Sequence, residues 1–445
     1  MMLKTFTKGG VHPEENKLSS GSTIQFLPIP AEVQISLGQS LGAPAKAIVA
    51  KGDMVKTGQL IGRGEAFISA NVHSPVSGKV VKIDDIDDQS GYRRPAIIIA
   101  TEGDEWIHNI DRSPELKREF HFTPAEIIEK IHEMGIVGLG GATFPTKVKM
   151  MVPQGKKAEI LILNGVECEP FLTSDHRLML EKGEEILVGA TILMKALGVK
   201  RAAVGIENNK PDAIAHLTNL AKNFPGIEII PLKVKYPQGA EKQLIKAVTG
   251  REVPSMKLPI EVGCVVNNVG TAFAVYEAVQ KNKPLIERVV TVTGKNFAKP
   301  ANFMVRIGTS VNELIEHAGG LPDATGKIVS GGPMMGKALN SLKVPVLKGT
   351  SGILIFDSTE AKRLPVQNCI RCARCVSACP MGLEPYLLER QVNNQVWEDA
   401  EANRIMDCME CGCCHYTCPS SRPLLDYLRL GKNKVGQIMR TRVNK

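Results

Sequence analysis

Nine of the chain's eleven cysteines crowd between Cys369 and Cys418. They read Cys369-x2-Cys372-x2-Cys375-x3-Cys379-Pro380 and then Cys408-x2-Cys411-x2-Cys414-x3-Cys418-Pro419. Three thiolates spaced by two residues can wrap three corners of a [4Fe-4S] cube within one loop, and the cysteine before the proline is left to reach the other cube. By that rule Cys369, Cys372, Cys375 and Cys418 hold one cluster, and Cys408, Cys411, Cys414 and Cys379 hold the second. Zinc is the first alternative, but its four ligands commonly come as two separated pairs, which does not account for two identical quartets. Disulfides are the other, and they suit neither the uneven distribution nor a chain with no apolar leader after Lys4. Cys413 falls outside the quartets, and it, Cys168 and Cys264 read as small buried thiols. Two clusters close together make a one-electron wire, and a wire needs a source.

A second group of residues offers one. The run Gly135-Ile136-Val137-Gly138-Leu139-Gly140-Gly141-Ala142-Thr143-Phe144-Pro145-Thr146-Lys147-Val148-Lys149 lets backbone N–H groups approach a phosphate closely, and lysine adds fixed positive charge. It is neither a Walker A loop nor a Gly-x-Gly-x-x-Gly fingerprint, so alone it reads equally well as a turn. After the apolar run Ile160 to Leu163 comes Asn164-Gly165-Val166-Glu167-Cys168-Glu169-Pro170, at the carboxyl end of a strand, where open α/β sheets bind ligands. After Val262 to Val266 comes Asn267-Asn268-Val269-Gly270-Thr271, amides that open a helix.

The elements that must position these groups can be read as well. From Ala31 to about Thr101, short β-runs alternate with glycine turns, an all-β module of the lipoyl-like barrel-sandwich type. No lysine stands between Leu60 and Val76, where a carrier would present its modified residue, so a structural or docking role is expected. Thr123-Pro124 starts a helix to about Met134. Up to Lys283 the β-like runs 159–163, 202–206 and 227–232 alternate with helical patterns at 184–197, 211–221 and 271–280, which predicts an α/β layered domain with a largely parallel sheet. Residues 288–339 read as a small α+β unit. Between the quartets, Leu383, Tyr386, Leu387, Val396, Trp397 and Ala400 recur at helical spacing, so helices should hold the clusters. The expected units are 1–115, 120–285, 286–345 and 362–432, with a basic tail at 433–445.

The chain has 445 residues, enough for several cores. Hydrophobic residues make up 43% and charged residues 23%, and no run approaches the roughly 18–20 apolar residues of a membrane-crossing helix. The net charge is +9, but aromatics are only 4% and the basic residues are dispersed, which argues against nucleic acid and for acidic proteins or phosphate-bearing small molecules.

The glycine-rich loop, the acidic turn and the paired asparagines, in this order, resemble the FMN- and NADH-binding flavoprotein subunit of respiratory complex I over about Pro124 to Lys283. Leu139 stands where that family has arginine, and Thr143 where it has its last glycine. The resemblance implies that Gly138, Gly140, Gly141 and Lys149 line the FMN phosphate and ribityl chain. Asn164, Asn267, Asn268 and Thr271 would bond the flavin, and Glu167 and Glu169 would stand on the nicotinamide side.

The whole module order resembles the C subunits of the Rnf complexes: Gly9-Gly10-Val11-His12-Pro13 with Lys17, barrel-sandwich, flavin domain, a β-grasp like soluble-ligand-binding domains, then two ferredoxin quartets. Those complexes are membrane-bound, ion-pumping ferredoxin:NAD+ oxidoreductases. The resemblance implies a multidomain α/β and α+β chain holding FMN, NAD(H) and two [4Fe-4S] clusters, an NADH-oxidising or NAD+-reducing enzyme. It also implies a peripheral place on the cytoplasmic face of the membrane, among integral and peripheral partner subunits, with ferredoxin as the indirect electron partner and Na+ or H+ as the pumped ion. Two other readings stay open. One is a soluble flavo-iron-sulfur reductase of the cobalamin-reductase type, in which the barrel-sandwich follows the clusters. The other is an electron-transfer adapter without flavin.

Overall fold

A computed structural model describes residues 3–443. Met1, Met2, Asn444 and Lys445, the extreme ends of the expected first unit and of the basic tail, lie outside the described residues.

The first unit is built from antiparallel strands whose alternate side chains turn inward. Glu32–Ser36 pairs with Arg93–Thr101, which pairs with Gly78–Asp87. Val33, Ile35, Val80, Ile97 and Ile99 close a core with Val55, Ile61 and Val72 from the shorter strands. This is the expected barrel-sandwich, but the residues before it do not belong to it. Lys4 and Val11 bridge to Leu232 and Tyr236. Ile24–Phe26 adds a strand beside Ala301–Arg306, closing the edge of a different sheet. The N-terminal thread therefore runs across two later units.

The second unit carries a four-stranded, wholly parallel sheet in the order Ile227–Leu232, Ala202–Glu207, Ile160–Asn164, Cys264–Asn268. Its strands Ala202–Glu207, Ile160–Asn164 and Cys264–Asn268 are buried on both faces, as a sheet covered by helices on both sides requires, while the edge strand Ile227–Leu232 exposes Glu228 and Pro231. Helices Gly183–Leu197 and Val269–Gln280 cover one face and Glu241–Thr249 the other. Helix Pro124–Glu133 starts with a capping box in which Thr123 and Glu126 satisfy each other's backbone amides.

The third unit is a mixed six-stranded sheet with helix Val311–His317. Its strand Gly352–Asp357 lies in the middle of the sheet, so this unit continues beyond residue 345.

In the fourth unit, short helices Arg374–Ala378 and Cys413–Tyr416 follow the two cysteine loops. Helices Pro385–Asn393 and Trp397–Ala402 lie between them in sequence. The basic tail is corrected here: Leu424–Val443 is one continuous helix. Leu424, Leu428 and Val435 are buried along one face of it, and Arg442 pairs with Glu401 at 2.8 Å. No helix among the described residues is long and apolar enough to cross a membrane.

Candidate functional site

The parallel register sets Asn268 beside Asn164 at the carboxyl ends of neighbouring strands. The glycine-rich loop folds over them. Gly138 N–H donates to Phe144 O at 2.9 Å, closing the loop on itself, and Leu139 N–H donates to the Thr271 hydroxyl at 2.9 Å. A Cβ on Gly140 would lie 2.9 Å from the Asn268 Cβ, so only glycine fits against that side chain, whereas Gly141 faces open space. Exposed backbone at Gly140 and Gly141 suits the close approach of a phosphate.

The asparagines divide the work. Asn164 Nδ2 donates to Gly239 O at 2.8 Å, and its Oδ1 accepts from Val166 N–H at 3.1 Å. Asn268 caps helix Val269–Gln280 by accepting from Gly270 N–H at 2.8 Å, and donates to Asp175 at 2.6 Å. Asn267 differs from both. It is buried, and neither its Nδ2 nor its Oδ1 has a protein partner. A buried amide without partners costs about 1–3 kcal/mol per orphaned group. A flavin ring edge, with both donors and acceptors, would satisfy both atoms, and on this observation the residues fit FMN. Lys149 reaches the same strand end, where its Nζ donates to Val266 O at 3.0 Å, but Glu241 already pairs with it at 3.1 Å.

The acidic turn is engaged within the protein. The Glu167 carboxylate accepts from Asp175 N–H at 2.7 Å, His176 N–H at 3.1 Å and Ser174 Oγ at 3.2 Å. It stands at the N-terminus of helix Ser174–Glu181, where it serves the orphan amides. The Glu169 carboxylate accepts from Met334 N–H at 3.2 Å and from the Tyr236 hydroxyl at 3.3 Å, so it points into the contact with the third and fourth units. Burial pushes its carboxyl up to about 7 against the pull of that amide and hydroxyl.

Two lysines, Lys210 buried and Lys17 half-buried, hold the turn. Lys17 Nζ donates to the carbonyls of Glu167, Glu169 and Leu172 at 2.8, 2.8 and 2.7 Å. Lys210 Nζ donates to Val166 O at 2.8 Å. Burial and the neighbouring Lys210 charge lower the Lys17 ammonium to about 8. The motif containing Lys17 was visible in the sequence, but its partners are about 150 residues away. Lys210 carried no signal.

The cysteines gather as two groups. Burial raises the Cys408 thiol to about 12, with Cys411 and Cys379 adding to the rise. Burial also raises Cys414, and the same three neighbours push it further. Cys379, from the first run, thus lies near the second. Burial raises Cys375, and Cys418 and Cys369 add to the rise, so Cys418 lies near the first run. Among the described residues no three ligands converge on a single point as one metal ion would need. A cubane instead places each thiolate on its own iron, and a donor set of four cysteines fits it. Cys413 is buried, and Cys168 accepts from Gly239 N–H at 3.4 Å.

The two groups differ in depth. Cys379, Cys408, Cys411 and Cys414 are buried, whereas Cys369 and Cys372 are exposed. The buried group abuts the flavin-type unit. Gly9, at φ +64°, passes so close to Cys379 that a Cβ would lie 2.5 Å from its carbonyl carbon. Gly10 N–H donates to Ala378 O at 2.9 Å, and Gln243 Nε2 donates to Pro380 O at 3.3 Å. The buried Tyr236 hydroxyl donates to Cys411 O at 2.9 Å. Tyr236 therefore joins the acidic turn, through Glu169, to a cluster loop, a role that nothing in the sequence around it marked.

Four family descriptions match the chain in order: RnfC barrel sandwich hybrid domain over residues 5–104, Nuo51 FMN-binding domain over 131–277, SLBB domain over 289–338 and 4Fe-4S dicluster domain over 362–419. The chain is 45% identical to the C subunit of the proton-translocating ferredoxin:NAD(+) oxidoreductase complex of Clostridium ljungdahlii, over 97% of this chain and 94% of that one. It is 42% identical to the Na(+)-translocating counterpart of Acetobacterium woodii, over 96% of each. Among solved structures, an NAD+-reducing [NiFe]-hydrogenase in the H2-reduced state superposes with a TM-score of 0.50 at 19% identity, covering 70% of this chain and 62% of that one, a likeness of fold.

Proposed function

The chain belongs to the C-subunit family of ion-translocating ferredoxin:NAD+ oxidoreductase complexes, and we propose on that footing that it exchanges electrons between NAD(H) and the membrane-bound remainder of such a complex. It is an oxidoreductase subunit with NADH dehydrogenase activity, holding FMN and two [4Fe-4S] clusters. Its partner subunits couple the transfer to ferredoxin oxidation and to Na+ or H+ translocation.

When bound, FMN supplies the interchange between a hydride and single electrons, and the cubanes carry the single electrons onward. The chain's own residues bind and orient. Gly138, Gly140 and Gly141 admit the phosphate, and Asn267 offers its free donor and acceptor to the ring. Asn164, Asn268 and Thr271 hold the loop and strand ends in register around it. Lys17 and Lys210 fix the turn. Cys379, Cys408, Cys411 and Cys414 ligate the cluster on the flavin side, and Cys369, Cys372, Cys375 and Cys418 the other. Tyr236 keeps the flavin-side cluster loop seated. The buried, partnerless Asn267 near the carboxyl end of its strand is the observation that carries the flavin reading.

The place we assign to the protein is peripheral, on the cytoplasmic face of the membrane. Anaerobic pull-down from native membranes in mild detergent tests it: integral subunits should co-purify. Their absence would replace this reading by that of a soluble flavo-iron-sulfur reductase.

A further inference from the structure

We propose that the strip Lys362–Arg374 is the docking surface for an acidic, electron-carrying protein, and that electrons cross between it and the Cys369, Cys372, Cys375 and Cys418 cluster. The proposal rests on the wire described above and adds its far end.

The wire is polar in space. Its buried quartet is packed against the flavin-type unit through Gly9, Tyr236 and Gln243. Its other quartet reaches the surface, where Cys369 and Cys372 are exposed. A wire with one end at a flavin exchanges electrons at the end that another protein can touch.

The surface around that end has the make-up of an interface. Every residue from Lys362 to Arg374 is exposed, yet the strip is pinned: Gln367 N–H donates to Ser420 O, and the Ser420 hydroxyl donates to Asn368 O, both at 2.9 Å. Leu364, Val366 and Ile370 are 70%, 57% and 68% exposed. Three large apolar side chains on one short strip exceed the scattering usual on a free surface, and apolar contacts within a charged rim are what protein interfaces present.

Charge selects the partner. The strip holds Lys362, Arg363, Arg371 and Arg374 and no acidic residue. Only Arg363 has a carboxylate partner among the described residues, Asp426 at 2.9 Å. Lys362, Arg371 and Arg374 are thus free to meet carboxylates, which would steer and orient an acidic protein. An anionic lipid surface would also attract these charges, but it cannot exchange electrons with a cluster held by the cysteines at the centre of the strip.

The test uses the full chain loaded with FMN and clusters, and membranes from cells lacking this chain but holding the other subunits. Rebinding is measured against salt for the wild type, for Arg371→Glu/Arg374→Glu, and for Lys362→Glu/Leu364→Asp, whose changes lie away from the nearest cluster cysteine. Visible absorbance and acid-labile sulfide establish that the variants keep their clusters. Both variants should bind about tenfold or more weakly and lose most of the salt dependence. Wild-type affinity in cluster-loaded variants would overturn the proposal. So would equally tight wild-type binding to protein-free phosphatidylglycerol vesicles, which would make the strip a lipid contact. If NADH fails to reduce the clusters of the wild-type chain, the functional reading falls, and the proposal with it.

Discussion

Replacing Tyr236 by phenylalanine removes one hydroxyl from the seam between the flavin-type unit and the buried cluster loop. That hydroxyl donates to Cys411 O at 2.9 Å, and the ring is 2% exposed, so water cannot take its place. Burial holds the phenol well above the ordinary tyrosine range, and it remains a neutral donor at any working pH. Leaving one buried carbonyl unsatisfied costs about 1–3 kcal/mol, which is roughly a 5- to 150-fold shift in the equilibrium that opens the seam. The ring itself stays, so the apolar contact with Val11, Met334 and Cys413 is retained. Amide hydrogen exchange reads this opening directly. Protection of the amides from Cys408 to Cys418 should fall by that factor, with acid-labile sulfide unchanged, while the barrel-sandwich keeps its protection. Unchanged protection in this loop would refute the view that Tyr236 seats it.

Three further outcomes follow from the geometry. Cys379→Ala should remove the cluster held with Cys408, Cys411 and Cys414, and Cys418→Ala the other; spectra showing that each substitution empties the site of its own run would reverse the pairing. Asn267→Leu should weaken FMN binding about tenfold, the worth of one or two hydrogen bonds, in a fluorescence titration of the apoprotein. Lys348 Nζ is buried and donates to Asn71 O and Gly135 O at 2.8 and 2.7 Å, and burial lowers it from 10.5 to about 7. Between those values the unfolded chain binds the extra proton, so this group adds stability as pH rises, about 1.4 kcal/mol per unit. The guanidinium midpoint of the wild type should therefore gain on that of Lys348→Met from pH 7 to 10, and parallel curves would show that burial does not depress this lysine.

What could be read in the sequence was what is local. A cubane takes three of its thiolates from one short loop, so the spacing of Cys369 to Cys375 and Cys408 to Cys414 announces it. Strand ends followed by amides, such as Leu163-Asn164 and Val266-Asn267, are equally compact signals. The seam was not legible, because Lys17, Tyr236 and Met334 meet the acidic turn across separations of about 70–165 residues. Charge alone does not show the helix-capping contacts of Glu167, since a carboxylate facing a ligand and one facing helix amides have the same local sequence. Charge misled from Arg429 onward, where six basic residues masked a helix whose buried Leu424, Leu428 and Val435 fall on one stripe.

The central claim is a continuous path between NAD(H) and the two clusters within this one chain. Its most direct measurement is to reduce the clusters of the FMN-loaded chain chemically, remove the reductant anaerobically, and add NAD+. The expected result is NADH formation in step with recovery of the cubane absorbance, abolished when FMN is removed and restored when it is returned. Clusters that reoxidise without forming NADH, or NADH formation that is indifferent to FMN, would contradict it.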